Sequence, residues 1–159
     1  MAAFDLGSLD RGVCERMHRS REASLDNYGK KLNVFITSNL FPSVSLTGSL
    51  CHLNCKHCGG KLFSRLIPAD SPEKLEDTAH MLANSGAKGM LITGGCNTKG
   101  KVPTADVAAS IKKIKQETDL IVIAHTGFIT SDEACVLTDS GLDGIAFDVV
   151  GDVETVKRV

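Results

Sequence analysis

Apolar and polar positions follow two rhythms along this chain, one helical and one strand-like, and the switches between them mark its elements. Residues 11–28 are polar and charge-rich with a helical pattern that stops at Gly29. Val34, Phe35 and Ile36 form a short apolar run suited to a preliminary strand. From Ser43 strands and helices alternate. Residues 44–47 read as a strand. Residues 72–84 read as a helix: Asp70 or Ser71 can cap it, Pro72 suits its first turn, and Gly86 can end it. Its apolar stripe is Leu75, Ala79 and Leu82. Residues 90–93 form the next strand, ending in Gly94-Gly95. Thr104 can cap a second helix with Val107, Ile111 and Ile114 on one face. Residues 120–124 are a continuous apolar run, the pattern of a strand buried on both sides. Thr130 and Glu133 make a capping box for a third helix that stops at Gly141. Residues 144–147 are a fourth strand ending at Asp148, and Asp152 is placed to cap a fourth helix.

Strands alternating with helices imply parallel βα units. Spacers of unequal length exclude a short-period solenoid. An open doubly wound sheet and part of a TIM-type barrel both satisfy the pattern, and both put function at the carboxyl ends of the strands. We expect an α/β fold in which parallel βα units form an incomplete TIM-type barrel of about four strands over residues 43–159. An N-terminal helical accessory segment, residues 1–42, precedes it. The residues that leave the strand ends are Gly48 to Cys58, Gly94 to Asn97, His125-Thr126-Gly127 and Asp148.

Composition narrows the setting. The chain has 159 residues, 42% hydrophobic and 23% charged, which is a globular balance that excludes wholesale disorder. A net charge of −1 gives no electrostatic case for nucleic acid or an anionic membrane as partner. No apolar run approaches the ~18 residues of a membrane span, and the start of the chain has no secretory pattern, so a cytoplasmic location is expected. Six cysteines without a signal point to metal or redox work rather than to a disulfide framework.

Three of those cysteines sit together. Cys51-His52-Leu53-Asn54-Cys55-Lys56-His57-Cys58 is C-x3-C-x2-C, directly after the first strand of the alternating region. Thiolates are the natural ligands of iron–sulfur clusters. Three from one loop can hold three irons of a cubane and leave the fourth iron open. A structural zinc or a fully ligated electron-transfer cluster would want a fourth ligand. A zinc loop is the plainer reading of the same residues, as a tight βα turn is of Gly94 and Gly95.

The spacing resembles the signature of the radical SAM superfamily, with His57 standing where the family places a Tyr or Phe. A second resemblance is Thr93-Gly94-Gly95-Cys96, which matches the glycines of the family's Gly-Gly-acid motif and lacks the acid. The resemblance runs from about Ser43 onward. It implies a [4Fe–4S] cluster on Cys51, Cys55 and Cys58 and S-adenosyl-L-methionine as cofactor, with contacts from His57, Gly94, Gly95, His125 and Asp148; a core histidine satisfied by backbone is the plainer reading of His125, and a helix-capping or turn aspartate that of Asp148. It further implies reductive cleavage of that cofactor to methionine and a 5′-deoxyadenosyl radical, which takes hydrogen from an unactivated carbon. The wording around the loop, Phe41-Pro42-Ser43-Val44-Ser45-Leu46-Thr47-Gly48 and Cys58-Gly59-Gly60, is most similar to the biotin synthase and lipoyl synthase branch, and within it to the two-component lipoyl synthases. That branch implies a transferase inserting sulfur at C–H bonds. The partners implied are an electron donor such as ferredoxin or flavodoxin and either a second radical SAM subunit or a lipoyl carrier protein.

Cys96 leaves its strand beside the expected cofactor and reads either as a buried structural cysteine or as an extra ligand. Cys14 could contribute to a second cluster but lacks companions in sequence, and Cys135 falls within a helix and reads as a core residue. Lys56, Lys61 and Arg65 read as a solvated basic face. The strands are fewer than in a complete radical SAM barrel, so a chain truncated at its C-terminus, and crippled in catalysis when alone, is expected. The alternative is a non-catalytic fragment that binds a cluster or metal and docks on a partner.

Overall fold

The computed structural model describes residues 10–31, 39–53, 55–56, 58–148 and 154. The chain divides into two compact units, Met1–Ile36 and Thr37–Val159. In the first, α1 spans Arg11–Tyr28, as the sequence predicts. The Asp10 carboxylate caps it, accepting the N–H groups of Gly12 at 2.8 Å and Val13 at 3.3 Å. Two of the donors that a helix start leaves unpaired are thereby satisfied. Gly29 ends the helix at φ 65°, a conformation glycine adopts without steric cost. The strand expected at Val34–Ile36 and the helix expected from Asp152 lie outside the described residues.

The second unit is α/β. In chain order it contains β1 (Ser43–Ser45), β2 (Ile67–Pro68), α2 (Pro72–Asn84), β3 (Gly89–Thr93), α3 (Ala108–Glu117), β4 (Ile121–His125), α4 (Ser131–Asp139) and β5 (Gly144–Ala146). Among the described residues the strands form one sheet in the order β2-β1-β3-β4-β5, with every pairing parallel. There are thus five strands where about four were expected. The addition is β2, two residues long at the sheet edge, where Pro68 can sit without a ladder N–H.

The helix signals act locally, with one exception. The Ser71 side chain accepts the Lys74 N–H and Pro72 occupies the first turn of α2. At α4 both halves of the Thr130–Glu133 capping box are formed. Thr104 does not cap α3. It precedes a 3-10 turn, Ala105–Val107, makes no side-chain cap bond, and the α-helix begins only at Ala108. Val107, Ile111 and Ile114 are nevertheless all buried, because the 3-10 turn carries Val107 onto the same core as α3. Among the described residues no helix is long and apolar enough to cross a membrane.

One core joins the layers. Leu75, Ala79 and Leu82 of α2, Ile111 and Ile114 of α3 and Leu137 of α4 meet Val44, Met90, Ile92, Val122 and Ala124 of the sheet. Each large aliphatic side chain buried there contributes about 1.5–3 kcal/mol. Since all three helices share this core, and α2 packs on α3 and α3 on α4, they cover one face of the sheet. Strand register then fixes what the other face carries. Ser45 pairs with Thr93, Thr93 lies level with His125 because Ile92 pairs with Ala124, and His125 pairs with Ala146. Side chains alternate between faces along a strand, so Ser45, Thr93, His125 and Ala146 form a row at the carboxyl end, pointing away from the helices. Asp143, just ahead of β5, accepts the Val122 N–H at 2.6 Å and Lys115 Nζ at 2.7 Å, anchoring the last strand to its neighbour.

Candidate functional site

Parallel pairing brings the predicted site residues, among those described, to one end of the sheet, and hydrogen bonds between loops determine how they meet. After β1 the chain turns at once. Ser45 Oγ, on a fully buried residue, donates to the Gly48 carbonyl at 2.7 Å. Leu46 N–H continues the ladder to the Thr93 carbonyl at 2.8 Å. Thr47 is the clasp of the site: its hydroxyl donates to the Leu50 carbonyl at 2.8 Å and accepts the Gly95 N–H at 2.6 Å. One side chain therefore ties the start of the cysteine loop to the glycine pair. Sequence reasoning did not single out Thr47; a threonine at the exit of a strand, facing a Gly-Gly turn, was the signal available.

The two loops also join directly. His52 N–H donates to the Cys96 carbonyl at 2.8 Å. Farther along, the Cys55 carbonyl accepts the N–H groups of Cys58 at 3.3 Å and Gly59 at 2.8 Å, closing a single turn around the last two cysteines. Cys51, Cys55, Cys58 and Cys96 are all half-buried free thiols. Burial pushes the Cys96 thiol above its ordinary value, and Cys51, Cys55 and Cys58 push in the same direction. The four sulfurs thus share one electrostatic neighbourhood. Among the described residues, no three His, Cys, Asp or Glu side chains stand close enough together to hold a metal ion as they are. Three thiols in one loop are the donor type of an iron–sulfur cluster, and as they stand their side chains are not gathered around a common point. His57 lies outside the described residues.

Gly94 and Gly95 are set apart by what surrounds them. A Cβ added at Gly94 would meet Thr47 Oγ1 at 3.2 Å and Leu46 N at 3.3 Å, contacts that small shifts relieve. At Gly95 it would collide with the Leu50 carbonyl oxygen and stand 2.6 Å from Cys51 Cα and 2.7 Å from Cys51 Cβ. Gly95 is the point where the second loop lies flat against the first, and only a residue without Cβ fits. A side chain there would press on Cys51 itself.

His125 and Asp148, predicted from the ends of two neighbouring strands, touch each other: Nε2 of His125 lies 3.0 Å from Asp148 Oδ2. The imidazole is 29% exposed and the carboxylate 84%, so the pair sits at the rim with the acid outermost. Beside it, the loops after β3 and β4 are stitched together. Lys101 and Gly127 form an antiparallel bridge, Val102 N–H donates to the Thr126 carbonyl at 2.9 Å, and Phe128 N–H to the Gly100 carbonyl at 2.9 Å. Lys101 Nζ reaches both carboxylate oxygens of Glu133 at 2.8 Å. The Lys101 ammonium, then the Thr130 N–H and hydroxyl, hold the Glu133 carboxyl down at about 2. A cavity of about 180 Å³ opens here, with Asn97, Thr104, Thr126 and Phe128 in its wall. The Lys101–Glu133 pair was not foreseen: the sequence marks Glu133 only as half of a capping box, and Lys101 reaches it from the loop after β3.

No family model matches the chain, and no curated protein matches it.

Proposed function

We propose that this chain is a radical SAM protein in which Cys51, Cys55 and Cys58 hold a [4Fe–4S] cluster and the turn at Gly94-Gly95 receives S-adenosylmethionine. The observation that carries the reading is the C-x3-C-x2-C loop at the carboxyl end of β1, clasped by Thr47 to the Gly-Gly turn leaving β3. The cluster, when bound, supplies the electron that splits the cofactor into methionine and a 5′-deoxyadenosyl radical. The protein's own part is placement and exclusion of water. In this reading the cofactor meets main-chain groups of the turn other than the Gly95 N–H, which the Thr47 hydroxyl already holds. His125 stands in the row facing away from the helices, level with Thr93, where it can donate or accept one hydrogen bond while Asp148 orients its ring. His57, in the cysteine loop, is assigned to the adenine side by its position before Cys58.

The sheet belongs in this reading to an arc of a TIM-type barrel. β1, β3, β4 and β5 neighbour one another in chain order and α2, α3 and α4 line one face, which is how a barrel wall is laid down. The row of Ser45, Thr93 and His125 would face the barrel interior. Sulfur insertion at a C–H bond, as in biotin and lipoyl synthases, is the reaction we assign. A ferredoxin or flavodoxin is the electron source, and a second radical SAM subunit or a lipoyl carrier protein the partner, in the cytoplasm.

The test is anaerobic reconstitution with iron and sulfide, then reduction with dithionite in the presence of S-adenosylmethionine. The expected result is a brown protein whose reduced-cluster EPR spectrum changes on adding the cofactor and which forms 5′-deoxyadenosine above a cluster-free control. A brown protein with neither response refutes the enzyme and leaves a cluster-binding module. A colourless protein that retains zinc refutes the cluster.

A further inference from the structure

The cavity of about 180 Å³ between the loops after β3 and β4 receives no wall from the cysteine loop. Its lining comes from residues 97–101, from the 3-10 turn ahead of α3 and from the first turn of α4. The Lys101–Gly127 bridge and the Phe128 N–H bond to Gly100 hold these walls together in the empty protein, so a guest meets a preformed site. Thr104 marks it as more than a packing gap. This residue is 2% exposed, yet its hydroxyl bonds to no described residue. Among the described residues no fully buried side-chain oxygen or nitrogen lacks a partner, so the little surface this hydroxyl keeps opens on the cavity that it lines. A hydroxyl at such depth is left for a ligand or water to satisfy.

Other groups on the wall have capacity to spare. The Lys101 ammonium has three donors and directs its printed bonds only at the two Glu133 oxygens. Glu133 Oε2 also accepts the Thr130 N–H and hydroxyl, whereas Oε1 accepts only Lys101. Asn97 Oδ1 accepts the N–H groups of Lys99 and Lys101, which leaves the two protons of its amide nitrogen for other acceptors. Donors and acceptors are therefore interleaved around the cavity. Its charged residues are one cation, Lys101, against two anions, Glu133 and Asp106, a balance that disfavours a carboxylate or phosphate guest. At the rim the Phe128 ring lies over Gly100, where an added Cβ would stand 2.6 Å from it, and stays 61% exposed. We propose that this cavity binds a small neutral polyol of monosaccharide size, its hydroxyls held by Thr104, Asn97 and the Lys101–Glu133 pair and a carbon face of its ring resting on Phe128. A hydroxyl both donates and accepts, so adjacent hydroxyls of one ring answer the spare Lys101 proton and the spare Glu133 lone pair without parting the ions. The volume equals roughly six waters and lies below the range of about 300–1,000 Å³ for drug-sized sites, which limits the guest to a single small ring. This site needs no cluster, and the cluster reading does not need it.

The experiment titrates the isotope-labelled full chain, free of cluster, with D-xylose and D-glucose, and separately with acetate and inorganic phosphate, following backbone amide NMR shifts. At least one sugar should give saturable shifts centred on Thr104, Gly127 and Phe128, with a Kd on the order of 1–10 mM for so small a ligand. The two anions at the same concentrations should not. Thr104→Val and Phe128→Ala should each weaken sugar binding several-fold. Phe128 is exposed, so its variant tests the site even if Thr104→Val does not fold. The absence of a saturable shift with both sugars, shifts from acetate or phosphate as large as those from sugar, or an affinity unchanged in a folded variant of either kind overturns the proposal and leaves the cavity to water.

Discussion

Adding one carbon at Gly95 should do more harm than adding one at Gly94, although the two are adjacent and chemically identical. The geometry ranks them. In Gly94→Ala the new Cβ meets Thr47 Oγ1 and Leu46 N at 3.2 and 3.3 Å, and a shift of a few tenths of an ångström suffices. In Gly95→Ala it lands on the Leu50 carbonyl and within 2.7 Å of Cys51 Cα and Cβ, all but the last of them main-chain atoms that cannot rotate away. Overpacking of this kind costs about 1–3 kcal/mol. The turn must also move off the Thr47 hydroxyl, and leaving the part-buried Gly95 N–H short of its acceptor adds about 1–3 kcal/mol. Taken together the loss for Gly95→Ala is roughly 2–6 kcal/mol, against under about 1 kcal/mol for Gly94→Ala. In a domain of this size that is a fall in Tm on the order of 6–24 °C. Thermal unfolding of the cluster-free chain measures it, and iron bound after reconstitution should fall in the same order because Cys51 is displaced. If Gly95→Ala melts and loads iron like the wild type, or if the two variants are equally affected, the packing argument fails.

Thr47→Val keeps the shape but removes the clasp, so the Gly95 N–H loses its acceptor and stability should drop by about 1–3 kcal/mol in urea unfolding; Thr47→Ser should restore most of it. Replacing Cys51, Cys55 or Cys58 with Ala should abolish a stable reconstituted [4Fe–4S] cluster, whereas the same change at Cys135, which lies exposed on α4 and not in the core as its helical position led us to expect, should leave iron content near wild type. Glu133 ordinarily titrates near 4.5 and is held at about 2, so its ion pair with Lys101 stabilises the fold above pH 4.5 and the benefit vanishes as pH falls through about 2. Glu133→Gln should therefore be less stable than wild type at pH 7, and urea midpoints of the two cluster-free proteins should converge on acidification; a gap that widens toward acid would contradict the assignment.

How legible each feature was depends on how far apart its determinants lie in the chain. Ser71 with Pro72, and Thr130 with Glu133, are read from neighbours within one turn of helix, and α2 and α4 form where those residues place them. Thr104 misled because a threonine ahead of an apolar helical face looks the same whether a 3-10 or an α turn follows. β2 escaped because two residues have no period, and a proline argues against a strand except at an edge. Strand phasing put His125 and Asp148 at the same end, but their 3.0 Å contact depends on the register of β4 with β5. The same holds at the glycine pair. The sequence suggested room for a cofactor, while the crowding of Gly95 against Cys51 required both loops to be in place.

That last dependence bears on the order in which the molecule is made. The partners that shape the cysteine loop are distant along the chain: Thr47 waits for Gly95, and His52 waits for Cys96. Until β3 has docked beside β1 the loop has no clasp, and contacts of such long sequence separation form late because their closure entropy must be met first. The three loop thiols would therefore be unorganised in the nascent chain and set only when the sheet is built. If the chain takes the cluster proposed above, iron delivered before that moment would meet an unorganised loop, whereas iron delivered afterwards would stabilise the folded form by whatever free energy its binding supplies. Amide exchange at His52 and Gly95 should then slow together, in a single step, as folding reaches β3.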